Sequence, residues 1–385
     1  MSLNFREFDL ELDLQQTAHI WSIVFRQGVS MLEEETDTFL DPDESAFVAE
    51  ENGKIVAAYI VQDMPVVRGD VDLKVAGIAA VGVLPEHRHR GIGKQMMVDS
   101  LIKLRQGGFD AALLYPYRAS YYRQFGYEIL GKRYKISCPG ERLPKLEVKL
   151  PVRQVSQDEL HLLEPVYESF IKRISGSMHR SPERWKSRMG RKPPIIYAVG
   201  DPIEAYATSG LEGQFWEDLR IGEFVWSSLA GYESMLGVLR GLGINRSALN
   251  WHEPSNSPFL AAFSDQGATI TLDRQIQGRL IDVPGALKKL KPREDGEFRI
   301  LVVDHQMPDN RGPWRVRFSG GSVHVEPAES SSIVMDIRHL TQAYFGEPSF
   351  ERLLAEGFIQ ATEGQELDSA RRLFPAIPVC CMEFF

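Results

Sequence analysis

Hydrophobic positions in the first third of the chain change period several times, and each change marks an element. Over residues 14–31, Ile20, Val24 and Phe25 recur at spacings of three and four, which predicts an amphipathic helix running into Glu33-Glu34-Glu35. Residues 46–50 and 54–62 are apolar runs on either side of Glu51-Asn52-Gly53, and an Asn-Gly pair between two such runs predicts a hairpin. Residues 72–84 carry Val, Ile and Ala at both odd and even positions, the pattern of a strand covered on two faces and central in its sheet. A helix with Met97, Leu101 and Leu104 on one face follows, closes at Gly107-Gly108 and leads into a strand over 110–115.

Beyond Cys138-Pro139-Gly140 the order starts again: a helical stretch over 157–173, strands over 195–199, 204–210 and 222–226, then a helix over 232–242. The composition shifts once more near Pro284, after which 298–303, 314–318 and 322–325 read as short antiparallel strands, with helices over 338–344 and 350–356. Trp314, Val316 and Phe318 alternate with Arg315 and Arg317, as on a half-buried strand. The expectation is an α/β (α+β) chain of three domains, 1–150, 151–285 and 286–385, packed together because no low-complexity linker separates them.

A length of 385 residues fits two to three domains. The longest apolar run, 75–84, is about half of a membrane span, so no membrane partner is expected. A net charge of −9 argues against nucleic acid and favours cationic substrates. The amino terminus shows no basic-then-apolar leader, which reads as cytoplasmic. Cys138, Cys380 and Cys381 are too few and too clustered for a disulfide framework or a zinc site; reduced, partly buried thiols and no metal are expected.

Chemistry concentrates in Val81-Gly82-Val83-Leu84-Pro85-Glu86-His87-Arg88-His89-Arg90-Gly91-Ile92-Gly93-Lys94. Glycines at 91 and 93 let backbone approach a ligand, and the following helix offers unpaired N–H groups and a positive dipole end to a phosphate or pyrophosphate. Arg88 and Arg90 add charge, or point to solvent, or stack on an adenine ring. A dinucleotide fingerprint would need Gly or Ala where Met96 stands; a P-loop would need Gly and Ser or Thr where Arg88 and Gln95 stand.

The remaining pattern, Arg88-x-x-Gly91-x-Gly93 between a valine-rich strand and a helix, resembles the phosphate-binding signature of the GCN5-related N-acetyltransferase (GNAT) family. The resemblance implies that backbone amides of Arg88, His89, Arg90, Gly91, Ile92, Gly93 and Lys94 hold the pyrophosphate of acetyl-CoA, with Val81 and Val83 beside its pantetheine arm. Tyr121-Tyr122-Arg123-Gln124-Phe125-Gly126-Tyr127-Glu128 is similar to the family's later segment, where a tyrosine sits near the thioester sulfur; Tyr122 takes that position, because a departing thiolate benefits from a proton. The alternative is that Tyr122 is only a packed aromatic; Tyr121 and Tyr127 are expected in the core. No cysteine lies near the motif, which disfavours a covalent acetyl-enzyme.

Over the full length the chain resembles the Eis (enhanced intracellular survival) branch of that family: a GNAT domain, a degenerate second copy and a sterol-carrier-like domain. Arg240-Gly241-Leu242-Gly243 ends a helix instead of opening one, so the second copy is not expected to bind CoA. The resemblance implies that the terminal carboxylate, here that of Phe385, reaches the first domain's site as base or proton-relay partner, or that it orients the amine. It further implies aminoglycoside acceptors and a homo-hexamer. Glu33, Glu34, Glu35, Asp37 and Glu383 either attract polycationic acceptors or form a solvated face. A protein lysine or a polyamine is the alternative acceptor. A non-catalytic CoA- or lipid-binding protein is the alternative of another class.

Overall fold

Alternate residues of a strand face opposite ways, so a strand apolar at every position needs a layer on each side. The computed structural model supplies both layers, and describes residues 3–25, 40, 41, 43–189, 194–210, 216–273, 275–362, 364–383 and 385. The chain begins β1 (Leu3–Glu7), α1 (Leu10–Phe25), β2 (Glu44–Glu51), β3 (Lys54–Arg68) and β4 (Val71–Val83). It continues with α2 (Ile92–Gln106), β5 (Ala111–Leu114), α3 (Ala119–Arg123), β6 (Glu128–Leu130) and β7 (Arg133–Cys138).

On β4, Ala76 and Ile78 join the α2-side cluster with Met96, Met97 and Leu101, whereas Val71, Leu73 and Val75 join a cluster shared with the carboxyl-terminal third. The same third covers Met64 and Val66, and β3 accordingly runs past the expected residue 62 to Arg68. Helix α1 starts earlier than residue 14, because Asp9 Oδ1 accepts from the N–H groups of Glu11 and Leu12 at 2.9 and 3.0 Å and so caps it. Residues 26–31 of the expected helix lie outside the described residues, as do Glu33, Glu34, Glu35 and Asp37.

The middle of the chain gives β8 (Val152–Gln154), a 3₁₀ turn over Gln157–Leu163, α4 (Glu164–Ile171), α5 (Pro182–Met189), β9 (Ile195–Val199), β10 (Ala205–Ser209), β11 (Leu219–Trp226), α6 (Leu229–Leu242), β12 (Leu249–Pro254), β13 (Thr269–Leu272) and β14 (Ile276–Leu280). The helix expected over 157–173 is thus split. Pro165 at the start of α4 lacks an N–H and disfavours continuous helix through the preceding residue. The last third adds α7 (Val283–Lys289), β15 (Gly296–Val303), β16 (Trp314–Ser319), β17 (Ser322–Pro327), β18 (Ile333–Asp336), α8 (Ile337–Phe345), α9 (Phe350–Ala355), β19 (Ile359–Ala361) and α10 (Gln365–Leu373).

Three mixed sheets result, in the orders β1-β2-β3-β4-β5-β14-β6, β13-β7-β12-β11-β10-β9-β8 and β17-β16-β15-β18-β19. The third sheet lies within the expected 286–385, but the first two do not follow the expected cut at 150/151. Strand β14, buried at every residue, enters the first sheet between β5 and β6, while β7 leaves it to pair with β12 and β13 in the second. Each sheet therefore holds a strand from the other's stretch of sequence, and the sequence pattern contained no sign of it, because a strand's periodicity does not say which sheet it joins. Arg279 of β14 ties the exchange to the third sheet through a 2.6 Å pair with Asp304, both fully buried.

A fragment comprising residues 1–150 is expected not to fold cooperatively, since it lacks β14 and strands β7 without its partners. Loss of a sigmoidal denaturation curve and of amide dispersion in its NMR spectrum, against both in the full chain, is the check.

Candidate active site

Strands β4 and β5 are parallel partners only from Val75↔Ala111 to Ile78↔Leu114, and β4 then runs on to Val83 alone on that side. A bulge drives the parting. Ala79 and Gly82 pair with Ile60 and Ala58 of β3, so two residues of β4 face one of β3, and Ala80 sits at φ 49°. Left-handed backbone costs a non-glycine residue about 1–2 kcal/mol; the Ala80 carbonyl accepts from Trp21 Nε1 at 2.8 Å, which helps hold it there. Val81 and Val83 are half-buried against the α2-side cluster at the wedge so opened.

The loop that follows is shaped for an anion. His89 at φ 60° and Gly91 at φ 81° flank Arg90, an alternation that turns successive N–H groups toward one side. Gly91 is the N-cap of α2 and has no side chain to occupy the helix's first N–H groups. A Cβ on Gly93 would stand 2.8 Å from Tyr121 Oη, so only glycine keeps this turn against that hydroxyl. Ile92 is buried under the turn, and Lys94 lies in the first turn of α2.

The two arginines are otherwise engaged. Arg90 donates to both carboxylate oxygens of Glu51 at 2.9 and 2.6 Å, and His87 Nδ1 lies 2.9 Å from Arg90 and 3.4 Å from Glu51. Arg88 Nε donates to the Val83 carbonyl at 3.1 Å. These side chains pin the loop to the β2–β3 hairpin and to the end of β4, which leaves the backbone amides that follow to meet a ligand; the Arg88 N–H, expected among them, instead donates to the Pro85 carbonyl at 3.2 Å and closes the turn before the loop. Glu51 was read from the sequence only as part of a turn.

Tyr122, on α3, is buried among Tyr117, Tyr121 and Tyr127 on the α2 side of the sheet, its ring 5.0 Å edge-on from that of Tyr121. Burial, with these phenols beside it, raises its hydroxyl above the ordinary tyrosine range, so Tyr122 keeps its proton. Tyr127 is a core residue as expected, but Tyr121 is only half-buried and reaches the loop at Gly93.

Phe385 arrives on the opposite face. A Cβ on Gly77 of β4 would meet Met64 Sδ at 2.7 Å and Phe385 Cδ2 at 3.0 Å, so the missing side chain makes room for the terminal ring. Tyr115, one residue beyond β5, packs its ring 5.3 Å from that of Phe385 and donates to the Glu383 carbonyl at 2.7 Å. The Glu383 side chain is no surface acid: fully buried, it accepts from Arg180 Nε at 2.7 Å, and Arg184 stands at 3.6 Å. The expectation that it draws in polycations is corrected, since its charge is spent inside the protein. Glycine 77 inside an apolar strand was the one sign in the sequence that something would lie across β4.

Cys381, far from the motif in sequence, is brought beside Tyr115 and Glu383. Burial, with Glu383 close by, raises its thiol to about 11, so it stays protonated and a poor nucleophile. Cys138 and Cys380 are buried and unpaired as well. Among the described residues no group of three His, Cys, Asp or Glu side chains could hold a metal, and no helix is long and apolar enough to cross a membrane.

The second sheet repeats the plan without the anion seat. Strands β11 and β12 are parallel partners only at Leu219↔Leu249 and Arg220↔Asn250, and α6 follows β11 as α2 follows β4. Its N-cap is Ser228, whose Oγ accepts from the Gly231 N–H at 2.9 Å. The donors that Gly91 leaves open are here taken by the protein itself.

A splayed parallel pair with an open helix N-terminus and a buried phenol beside it belongs to an acetyltransferase of the GNAT fold, and the comparisons agree. Residues 6–130 match the acetyltransferase (GNAT) domain family and residues 283–382 the sterol carrier protein domain family. An uncharacterized N-acetyltransferase of Streptomyces avermitilis is 24% identical over 80% of this chain and 81% of its own length. N-acetyltransferase Eis of Mycobacterium bovis is 22% identical over 78% of each chain. A GCN5-related N-acetyltransferase from Anabaena variabilis superposes over 100% of both chains with a TM-score of 0.88 at 21% identity. The chain is an N-acetyltransferase and belongs to the Eis branch of the GNAT family.

Calorimetric titration with CoA is expected to give one site per chain. A stoichiometry of two would mean that α6 also accepts the cofactor despite Ser228.

Proposed function

We propose that this enzyme transfers acetyl directly from acetyl-CoA to a primary amine of a small polycation of the aminoglycoside type, in a ternary complex. The observation that carries the reading is the pair of side chains on the two faces of the β4–β5 parting, Tyr122 on one and Phe385 on the other. In this reading the backbone amides from His89 to Lys94 hold the pyrophosphate, and Val81 and Val83 flank the pantetheine arm. Bound acetyl-CoA supplies an activated acetyl thioester. Tyr122 Oη gives its proton to the departing sulfur as the amine nitrogen takes the acetyl group, and the carboxylate of Phe385 receives the amine's proton, directly or through water.

An unperturbed α-carboxylate, with a pKa of about 3.3–3.7, is a weak base for an ammonium. Its use lies in position: it attracts and orients the cation, so that the fraction of amine free of its proton is presented in line. The net charge of −9 favours the approach of such acceptors. The homo-hexamer belongs to the same reading and is checked by sedimentation.

The experiment is CoA release, read with a thiol reagent, using an aminoglycoside, spermidine and a lysine peptide. Thiol appearing fastest with the aminoglycoside supports the reading; a preference for the peptide would move the acceptor to protein lysine, and binding without turnover would make the protein a sensor or carrier. Tyr122→Phe is expected to lower kcat by about 100-fold, within the usual range for a lost general acid, with acetyl-CoA affinity held within about twofold. Because Tyr122 stays protonated, wild-type kcat should rise with pH as the amine loses its proton and show no fall up to about pH 10. Extension of the chain by four glycines past Phe385 is expected to leave the melting temperature in place and remove most activity; full activity in the extended protein would eliminate the carboxylate from the mechanism.

A further inference from the structure

Gln62 is a polar residue in the apolar middle of β3, and it is completely buried. Its amide donates through Nε2 to Asp43 Oδ2 at 3.1 Å. A carboxylate only accepts, so the NH₂ group must face Asp43 and the carbonyl oxygen must form the other prong. That oxygen, Oε1, has no hydrogen-bond partner among the described residues. A buried acceptor left in this state is costly, and proteins rarely carry the cost without a ligand or water to relieve it.

The surroundings select the donor. Glu44 stands directly opposite Gln62 in the β2–β3 register, with Asp41 and Asp43 beside it. Among the described residues the basic group in reach of the two aspartates is Arg184, at 3.6 Å from Asp41 and 3.9 Å from Asp43, and it also approaches Glu383. Arg180 and Arg188 turn instead to Glu223 and Glu383. Burial and repulsion from Asp41 and Asp43 hold the Glu44 carboxyl above its ordinary range, although the Asp41 N–H and Arg184 oppose this. An excess of negative charge around an unpaired carbonyl oxygen fits a cationic donor better than a neutral one.

Location gives the span. Gln62 pairs across β3–β4 with Gly77, the residue against which the Phe385 ring is seated. Asp43 and Glu44 lie one strand further out. At roughly 4.8 Å between strands, the cluster is about 5–10 Å from the β4–β5 parting, the distance between neighbouring amines of a diamine or polyamine.

We propose that the Gln62 carbonyl oxygen, with Asp43 and Glu44, forms a subsite for a second, non-reacting ammonium group of the acceptor. This rests on the transferase reading for its purpose, but not for its test. The subsite favours acceptors with two or more cationic groups, because a monoamine presented to the acetyl thioester has nothing to place there. Gln62 is a specificity-determining residue and takes no part in proton transfer.

The test is calorimetric titration of the full chain, saturated with CoA, with spermidine and with n-butylamine, repeated on Gln62→Met, which keeps the length of the side chain and removes both polar groups. Spermidine affinity is expected to fall at least 10-fold and butylamine binding to stay within twofold, with the melting temperature of the variant reported alongside. Should Gln62→Met unfold, Asp43→Asn, which keeps the shape and removes the charge, is expected to weaken spermidine in the same selective way. Equal losses for both amines would mark a merely structural glutamine. Unchanged spermidine binding, or no spermidine binding by the wild type, would also overturn the subsite. A wild type that binds spermidine but releases no thiol with any amine would overturn the transferase reading and leave the subsite standing.

Discussion

Two parallel strands that bond over four register pairs and then separate set the terms for the rest of this molecule. Once β4 passes Ile78 its β5-facing edge is no longer paired by β5, and a sheet does not leave such an edge open without something to fill it. The bulge at Ala80 keeps the wedge from closing, α1 braces the bulge through Trp21, and the glycine-led turn into α2 sits at the wedge's outer end. A ligand that supplies strand-like hydrogen bonds along the wedge and an anion at its end would satisfy both deficits at once.

The other two domains secure this wedge from behind. The exchange of β7 and β14 means that neither of the first two sheets is complete without the other's sequence, and β14 lies two strands from β4. Glu383 and Phe385 are held just as firmly. Glu383 meets Arg180 in a pair from which water is excluded, and removal of one partner from such a pair typically costs about 3–5 kcal/mol. Tyr115 grips the same residue's carbonyl, and so the ring of Phe385 is held against Gly77 by contacts from the first domain and, through Arg180, the second. Phe385 held this way keeps a defined place beside the β4–β5 parting, as its proposed role requires.

The two sheets that share a plan differ at one capping position. Gly91 gives α2 an open N-terminus, and Ser228 closes that of α6 with its own oxygen. A serine cap commonly adds about 1 kcal/mol to a helix, so the second sheet has stability where the first leaves helix donors open.

The sequence by itself determined the elements around the motif. The apolar run of β4, the Asn-Gly hairpin, the Arg88-x-x-Gly91-x-Gly93 spacing and the tyrosine pair are local patterns, and local sterics and periodicity are enough to read them. Only the tertiary structure decided that Arg90 belongs to Glu51, that β14 completes the first sheet, that Glu383 is buried, and that Gln62 keeps an oxygen unpaired among the described residues, one strand from Phe385. Each of those joins residues distant in sequence: Asp43 and Gln62 are 19 positions apart, Glu51 and Arg90 39, and Arg180 and Glu383 203. Which charge meets which, and which acceptor is left over, depends on how layers pack once water is excluded, and no periodicity along the chain records that.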